Sequence, residues 1–204
     1  MAGRFRRHGV GTSERLDPVY PVVFPPAGLR VVLVGAGDAA VRRLAGLDGA
    51  GITDIAVFSP EPTGPLAEAA DKRLRSGLPG ADDLAGARLV FVAGLDDGVS
   101  ADLAALARAA GALVNVEDRI ALCDFHVPAV VRRGRLLLTV STGGGAPGLA
   151  SRLRRSLETR FGPEWAGRLD ELAAARDGWK ADGADQQALA RRTREWLDQR
   201  GWFD

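Results

Sequence analysis

The fold is decided by residues 29–40, LRVVLVGAGDAA. Leu29–Val34 is a continuous apolar run rich in β-branched residues, which is typical of a strand buried on both faces of a parallel sheet. The glycines that follow open a helical stretch, Asp38–Ala50, and Ile52–Phe58 predicts the next strand. Strand, turn, helix and strand together make a βαβ unit of roughly 30 residues.

Further alternation extends this unit to a doubly wound, Rossmann-like α/β sheet. The proline-rich segment 59–86 predicts a helix around Pro65–Ser76 and a short strand that the pattern does not place. Beyond it, the pattern predicts a strand at Arg88–Ala93, a helix at Ser100–Ala110 and a strand at Ala112–Val116.

The pattern changes after residue 117. Leu136–Val140 predicts a strand without an α/β crossover, and an arginine-rich helix follows at Leu149–Phe161. Two amphipathic helices, predicted at Pro163–Trp179 and Asp185–Trp202, hold all four tryptophans. We therefore divide the chain into a flexible tail (1–18), a Rossmann-like domain (19–117), a small α+β segment (118–160) and a helical C-terminal region (161–204).

Composition narrows the class of protein. Apolar residues make up 46% of the 204, so the chain can bury a core, and a net charge of +1 gives no global attraction to nucleic acid or membrane. A single cysteine, Cys123, fits a reducing, cytoplasmic location. The apolar runs fall well short of the ~18 residues that a membrane helix needs. The tail has four arginines but no apolar segment, which disfavours a secretory signal; a cleaved transit peptide stays an alternative.

The first glycine turn predicts a dinucleotide site. In G-x-G-x-x-A, Gly35 allows the tight turn, Gly37 lets the backbone approach a pyrophosphate, and Ala40 lets helix and strand pack closely. The helix N-terminus adds N–H donors and positive potential. The alternative is a tight turn with no ligand.

The end of the second strand bears on which dinucleotide binds. An acid usually stands there to contact the ribose hydroxyls. Here the strand ends Phe58-Ser59-Pro60, so the contact falls to Ser59 or to Glu61. No arginine stands at this point to meet a 2′-phosphate, which favours NAD over NADP.

Asn115 and Asp118 close the last strand of the predicted sheet, at the edge where α/β sheets bind ligands. A carboxylate there can take up a proton during hydride removal, or hold a metal ion briefly. Glu117 is adjacent, so at most one of the two acids faces the cleft, and turn capping is the alternative role. The nearby Cys123, Asp124 and His126 lack the spacing of a resident metal site, so we expect none.

A second glycine loop, Ser141–Pro147, separates the later strand from the basic helix. Its N–H groups and hydroxyls can hold carboxylates or phosphates. Between Arg132 and Arg160 there are seven arginines and one acid. The alternative is that these arginines only solvate the surface, and no aromatics are interleaved with them for nucleic-acid binding. The pattern therefore favours a polycarboxylate ligand.

From Tyr20-Pro21 to about Phe161, the chain resembles the precorrin-2 dehydrogenase/sirohydrochlorin ferrochelatase family, the module at the N-terminal end of siroheme synthases. The similar segments, in order, are VVLVGAGDAAVRR, LVNVED, LCDFxxPAVVRRG and VSTGGGAPGLASRLR. The last two are far more specific than the glycine turn. One departure is that Ala93-Gly94-Leu95-Asp96-Asp97 is one residue longer than the usual family segment.

The resemblance implies NAD-dependent oxidation of precorrin-2 to sirohydrochlorin by a homodimer whose 118–160 segment helps to form the dimer. It assigns Asp118 as the base that also assists metal insertion. The implied cofactor contacts are Gly35, Gly37, Asp38, Ala39, Ser59, Pro60, Glu61, Gly94 and Asn115. The implied substrate contacts are Ser141, Thr142, Gly143, Gly144 and Arg152.

Several alternatives stay open. Many family members also insert Fe²⁺, which would then be a transient partner, and no residue here decides that question. The chain could instead sense NAD without chemistry, or carry a tetrapyrrole. The Asp118 turn together with the second glycine loop favours an enzyme, because a bare sensor needs no second site. No methyltransferase domain follows, so we expect the chain not to make precorrin-2 itself.

Overall fold

The computed structural model describes residues 19–203, so the predicted flexible tail (1–18) lies outside the described residues. The chain forms two compact units, which divide between His126 and Val127. The first holds a five-stranded parallel sheet in the order β3-β2-β1-β4-β5, which confirms the predicted Rossmann-like architecture. Its elements are β1 Val31–Gly35, α1 Gly37–Asp48, β2 Ile55–Ser59, α2 Gly64–Ala70, β3 Leu74–Ser76, β4 Leu89–Ala93, α3 Asp97–Ala109 and β5 Leu113–Val116.

The central strand β1 is buried along its whole length, as the continuous apolar run predicts. Successive side chains point to opposite faces, so Leu33 packs in a core with Leu44 of α1. Val34 packs in a second core with Leu103 of α3. Two layers of helix therefore hold the sheet, and the carboxyl ends of β1 and β4 lie side by side.

Two helix boundaries differ from those predicted by three residues or more. The helix predicted around Pro65–Ser76 ends at Ala70, because Asp71 turns out of the helix with a φ of +49°. The short strand that the pattern could not place is β3, which pairs with β2. Helix α3 begins at Asp97, before the predicted Ser100, because the Asp96 carboxylate caps it by accepting from the Val99 N–H.

Residues 118–126 return to the sheet, which explains why the first compact unit extends past the predicted boundary at 117. The Asp124 N–H donates to the Val114 carbonyl (2.8 Å), and its carboxylate accepts from the Val114 N–H (2.9 Å) and from Arg108 Nε (2.9 Å). Phe125 stacks edge-to-face on Phe91 of β4, with ring centroids 5.4 Å apart. These contacts make the segment part of the sheet layer.

The second unit consists of a β-hairpin and three helices. Its elements are β6 Ala129–Arg133, β7 Leu136–Val140, α4 Pro147–Arg160, α5 Trp165–Ala181 and α6 Gln186–Arg200. The bounds of β7 match the prediction, whereas β6 was not predicted and pairs with it antiparallel through a turn at Gly134. Trp165, Trp196 and Trp202 stack edge-to-face and tie α5 to the end of α6. Among the described residues, no helix is long and apolar enough to cross a bilayer.

We expect Asp124→Ala to lower the free energy of unfolding by about 1–3 kcal/mol, because it leaves a partly buried N–H of β5 without its acceptor. Urea denaturation would measure the loss. Asp102→Ala on the exposed face of α3 is the matched control and should change stability by less than about 0.5 kcal/mol. Equal effects of the two substitutions would contradict this role of Asp124.

Candidate dinucleotide site and the turn after strand β5

The crevice between the carboxyl ends of β1 and β4 lies where the strand order reverses, which is where α/β sheets bind ligands. Two glycines allow the turn after β1 and the turn after β4 to approach each other closely. A Cβ on Gly35 would collide with the Ala93 carbonyl oxygen, and a Cβ on Gly94 would collide with that of Ala36. Gly94 also has a φ of +69°, which glycine alone adopts without strain.

Gly37 opens the same turn to a ligand. It has a φ of +61°, and a Cβ built on it would meet nothing within 4 Å, so the exposed backbone faces free space. The N-cap residue of α1 is Ala36, whose side chain makes no capping hydrogen bond. The first N–H groups of α1 therefore lack a side-chain acceptor, as a phosphate-binding helix N-terminus requires. Asp38 and Ala39 lie in this first turn, Asp38 exposed and Ala39 half-buried.

At the end of β2, the structure separates two residues that the sequence treated as alternatives. Ser59 is fully buried, and its hydroxyl accepts from the Glu61 N–H at 3.2 Å. Pro60 and Glu61 are exposed. Ser59 thus holds the loop in place, and Glu61 is the side chain free to reach a ribose. Arg75, on neighbouring β3, lies over the Phe58 ring and pairs with Asp83 at 3.1 Å.

Asn115 is buried on β5, with its Nδ2 donating to the Phe125 carbonyl at 2.9 Å. Its amide fixes the segment that follows the sheet. Cys123 lies beside it, and burial raises the pKa of the thiol, as expected of a core cysteine rather than a nucleophile. Asp124 is engaged by Arg108, and no group of three metal-ligating side chains was found within residues 19–203.

Asp118 directly follows β5, at the same edge of the sheet as the glycine turns. It adopts a φ of +59°, a left-handed conformation that costs a residue with a Cβ on the order of 1 kcal/mol. Its side chain is exposed, and neither carboxylate oxygen accepts a hydrogen bond within the described part of the chain. The capping role weighed from the sequence is therefore not seen, and the carboxylate is free for a ligand.

The residues on either side hold this turn. The Glu117 N–H donates to the Val92 carbonyl at 2.9 Å, and its carboxylate lies 3.7 Å from Arg42 of α1. Arg119 pairs with Asp97 in the first turn of α3, with Nε at 2.8 Å. Of the two adjacent acids, Glu117 therefore has a charged partner, whereas Asp118 has none within residues 19–203.

Arg43, next along α1, is a residue that the sequence reasoning missed. It is half-buried, with its guanidinium 5.0 Å from the centre of the Phe91 ring. Burial lowers the pKa of this guanidinium, while Glu117 opposes the shift. Helical spacing could have indicated its burial, because position 43 lies three residues after the buried Ala40, on the side of α1 that faces the sheet.

In the second unit, the glycine loop is held by its own hydroxyls. Ser141 Oγ accepts from the Gly143 N–H, and Thr142 Oγ1 accepts from the Ala146 N–H, both at 3.2 Å. Gly143 and Gly144 have positive φ, which lets the loop turn sharply before α4. Each hydroxyl keeps its proton for donation to an anion.

Some arginines between residues 132 and 160 are bonded to acceptors in the structure, and others are not. Arg133, predicted in a basic turn, lies in β6 and caps the end of α4, donating to the Phe161 carbonyl at 2.8 Å. Arg135, Arg154 and Arg155 bond to Asp170, Glu158 and Ser151 in turn. Of the seven arginines between residues 132 and 160, all within the described part of the chain, three have a guanidinium group with no acceptor: Arg132, Arg152 and Arg160. Arg152 is therefore free to bind an anion, as the substrate assignment requires.

The strand order, the free space beside Gly37 and the absence of a side-chain cap on α1 are together typical of one class. They define a dinucleotide-binding protein of the Rossmann class. Comparison with known families agrees. The family model NAD_binding_7, described as "Putative NAD(P)-binding", matches residues 22–129, more than half of the chain. The chain belongs to this NAD(P)-binding family.

Its relatives support the resemblance drawn from the motifs. Siroheme synthase of Methylococcus capsulatus is 40% identical over 156 residues, 76% of this chain and 33% of the relative. Siroheme synthase of Pseudomonas putida strain W619 is 41% identical over 158 residues, again 76% of this chain and 33% of the relative. The chain thus spans about a third of the length of these relatives.

A solved structure confirms the fold over nearly the whole chain. The protein "SirC, precorrin-2 dehydrogenase" superposes with a TM-score of 0.71 at 24% identity. The match covers 91% of this chain and 93% of the other. The succession of parallel sheet, hairpin and C-terminal helices is therefore shared with a known protein.

We expect Gly94→Ala to weaken NAD binding and to destabilise the chain more than Gly111→Ala does. Both glycines have positive φ, but only at position 94 would the added methyl group meet a backbone carbonyl. Gly111→Ala should cost on the order of 1 kcal/mol for its backbone conformation alone. Thermal unfolding and NAD titration by tryptophan fluorescence would measure both variants. Similar losses would show that the Ala36–Gly94 contact is unimportant.

Proposed function

We propose that this chain catalyses the NAD-dependent oxidation of precorrin-2 to sirohydrochlorin, a step towards siroheme. The observation that carries the proposal is Asp118, an exposed carboxylate with no partner among residues 19–203. It is held in a left-handed turn at the ligand-binding edge of an NAD(P)-binding sheet. The relatives named siroheme synthase, about 40% identical over three quarters of the chain, support the choice of substrate.

The residues of the crevice fit a dinucleotide. The backbone at Gly35 and Gly37 and the uncapped start of α1, with Asp38 and Ala39, would hold the pyrophosphate. Glu61 would meet the ribose hydroxyls, and a carboxylate there repels a 2′-phosphate, so we propose NAD rather than NADP. Gly94 and Asn115 would border the nicotinamide. When bound, NAD supplies the acceptor for the hydride.

Asp118 would accept the proton that the macrocycle releases as it is oxidised. A carboxylate can take up this proton on either of its two oxygens. The Glu117 N–H, which donates to the Val92 carbonyl, joins this turn to the sheet, and the surface pairs Glu117–Arg42 and Arg119–Asp97 flank it. The place of the carboxylate at the edge of the sheet is therefore set before substrate arrives.

The second unit would hold the substrate carboxylates. Precorrin-2 is an octacarboxylate, and the loop Ser141–Gly144 offers hydroxyl and backbone N–H donors. Arg152 has no acceptor in the described part of its own chain, so it can pair with a carboxylate without breaking an existing bond. We also propose a cytoplasmic location, since the single cysteine suits a reducing compartment.

Fe²⁺ insertion into sirohydrochlorin is a further step that the same carboxylate could serve, because Asp118 is an oxygen ligand and no other described side chain competes for it. Adding Fe²⁺ to the protein with sirohydrochlorin and following the absorbance of siroheme would decide it. An NAD-binding regulatory protein, or a tetrapyrrole binder without catalysis, is the alternative to the dehydrogenase. Either would bind its ligand without turning precorrin-2 over.

We expect Asp118→Asn to reduce the oxidation of precorrin-2 by roughly 10²- to 10⁴-fold, the usual effect of losing a general base. Asparagine tolerates the left-handed conformation, so the turn should persist and the Kd for NAD should change little. Anaerobic absorbance spectra with precorrin-2 and NAD would measure the conversion to sirohydrochlorin.

Two further variants separate the chemistry from the backbone. Asp118→Gly removes the carboxylate and relieves the positive φ, so it should be as inactive as Asp118→Asn while melting at the same temperature as the parent or higher. Glu117→Gln removes the adjacent acid and should keep most of the activity. Full turnover in Asp118→Asn would refute the proposed base.

We propose that the chain is a homodimer that uses its 118–160 segment. Leu149 and Leu153 of α4 are 52% and 44% exposed and lie four residues apart, so they form one apolar stripe on the helix. Val130 of β6, 37% exposed, adds an apolar side chain to the open face of the hairpin. Apolar surface of this kind is what an obligate interface covers.

We expect the double substitution Leu149→Glu, Leu153→Glu to convert a dimer to a monomer, because it places two charges in the buried interface. Light scattering coupled to size-exclusion chromatography would measure the mass. Leu78→Glu, an exposed leucine of the first unit (45%), is the control and should leave the dimer intact. A parent protein that already elutes as a monomer would contradict this interface.

A further inference from the structure

The second unit contains a groove that plays no part in the proposed oxidation. It lies between α5 and α6 beside the turn of the β-hairpin and has a volume of 520 Å³. Small-molecule sites commonly measure about 300–1,000 Å³, so this groove is of a suitable size. Its lining residues are Arg135, Leu169, Leu172, Ala173, Arg176, Asp177, Lys180 and Thr193.

The polar lining of this α5–α6 groove is positively charged. Three cations, Arg135, Arg176 and Lys180, face one lining carboxylate, that of Asp177. Lys180 Nζ donates to the Asp177 carboxylate at 2.8 Å, and this bond lowers the pKa of the Asp177 carboxyl. The charges of Arg135 and Arg176 lower it further, by smaller amounts. Arg135 pairs outside the groove lining with Asp170, but both side chains are about two-thirds exposed and such pairs are weak. The groove therefore favours a negatively charged ligand.

Arg176 is the cation best placed to bind one. Its Nη1 donates to Thr193 Oγ1 at 2.6 Å, and that hydroxyl donates to the Leu189 carbonyl at 2.7 Å. This chain of bonds holds the guanidinium against α6 without using a carboxylate, and no acid within residues 19–203 pairs with Arg176. An arginine has five N–H donors in a planar fork, so most of them stay available for a bidentate carboxylate.

An apolar surface lies next to the guanidinium. Leu169, Leu172 and Ala173 of α5 are half-buried and line the same groove. We propose that the α5–α6 groove binds a small amphipathic carboxylate, with its charged group on Arg176 and its apolar body on these three side chains. None of the lining residues is among those assigned to oxidation, so the proposal does not rest on the proposed function.

1-Naphthoate serves as the probe, and 1-naphthalenemethanol, which has the same apolar body without the charge, is its neutral counterpart. Titration of the isotope-labelled full chain, followed by amide NMR, would report both affinity and location. We expect naphthoate to shift the amides of residues 169–180 and Thr193 and to bind more tightly than the alcohol. Arg176→Met should weaken naphthoate binding roughly ten- to hundredfold, as for loss of a charged hydrogen-bond pair.

Two variants serve as controls. Arg191→Met removes an exposed arginine of α6 that does not line the groove and lies 4.0 Å from Glu195, so it should leave the affinity unchanged. Arg176→Lys keeps the charge but loses the fork, so it should bind less tightly than the parent even if Arg176→Met fails to fold. Equal binding of naphthoate and the alcohol, parent-like affinity in Arg176→Lys, or shifts centred outside the groove would each overturn the proposal. Precorrin-2 turnover is not part of the readout, so failure here would leave the oxidation proposal standing.

Discussion

The structure depends on the close approach of two backbone turns at the carboxyl edge of the sheet. The turn after β1 and the turn after β4 meet so tightly that neither Gly35 nor Gly94 has space for a Cβ. The Ala36 N–H donates to the Ala93 carbonyl at 3.1 Å and joins them. Because this contact fixes the start of α1, it also leaves Gly37 and the first helical N–H groups facing open space. One steric constraint therefore shapes both the fold and the place where a dinucleotide fits.

The sequence predicted β1, β2, β4, β5 and β7 and did not place β3 or β6. β1 and β4 are buried along their whole length, and their unbroken apolar runs indicated their positions directly. β3 has three residues and only Leu74 is half-buried, so the pattern is too short to distinguish it from a loop. β6 reads AVVRR, and its two arginines suggested a turn. Arg133 can lie in a strand because its guanidinium reaches back to the carbonyls that end α4.

The candidate site was predictable by residue type, but the partner of each side chain was not. The glycine motif identified Gly35 and Gly37 because backbone geometry there leaves no other choice. At the end of β2, the sequence could not decide between Ser59 and Glu61, since the answer depends on burial: Ser59 points inward and bonds to its own loop. The charge pattern found the arginines of the second unit but could not distinguish Arg135, which pairs with Asp170, from Arg152, which pairs with no acid in the described part of the chain. Such pairings join residues far apart in sequence, and only the folded chain reveals them.

Asp118 unites these observations, because its conformation needs support that the turn itself does not supply. A left-handed residue with a Cβ is unfavourable, and a side chain that capped the turn would offset that cost, as Asp124 does for its own segment by bonding to β5. The Asp118 side chain makes no such bond to any residue that the structure describes. The support comes instead from its neighbours, since Glu117 is attached to β4 and α1, and Arg119 to α3. Residues at functional positions often have a strained backbone that the surrounding contacts hold in place, while their side chains stay free. The carboxylate is therefore more readily explained by what it binds than by what it stabilises.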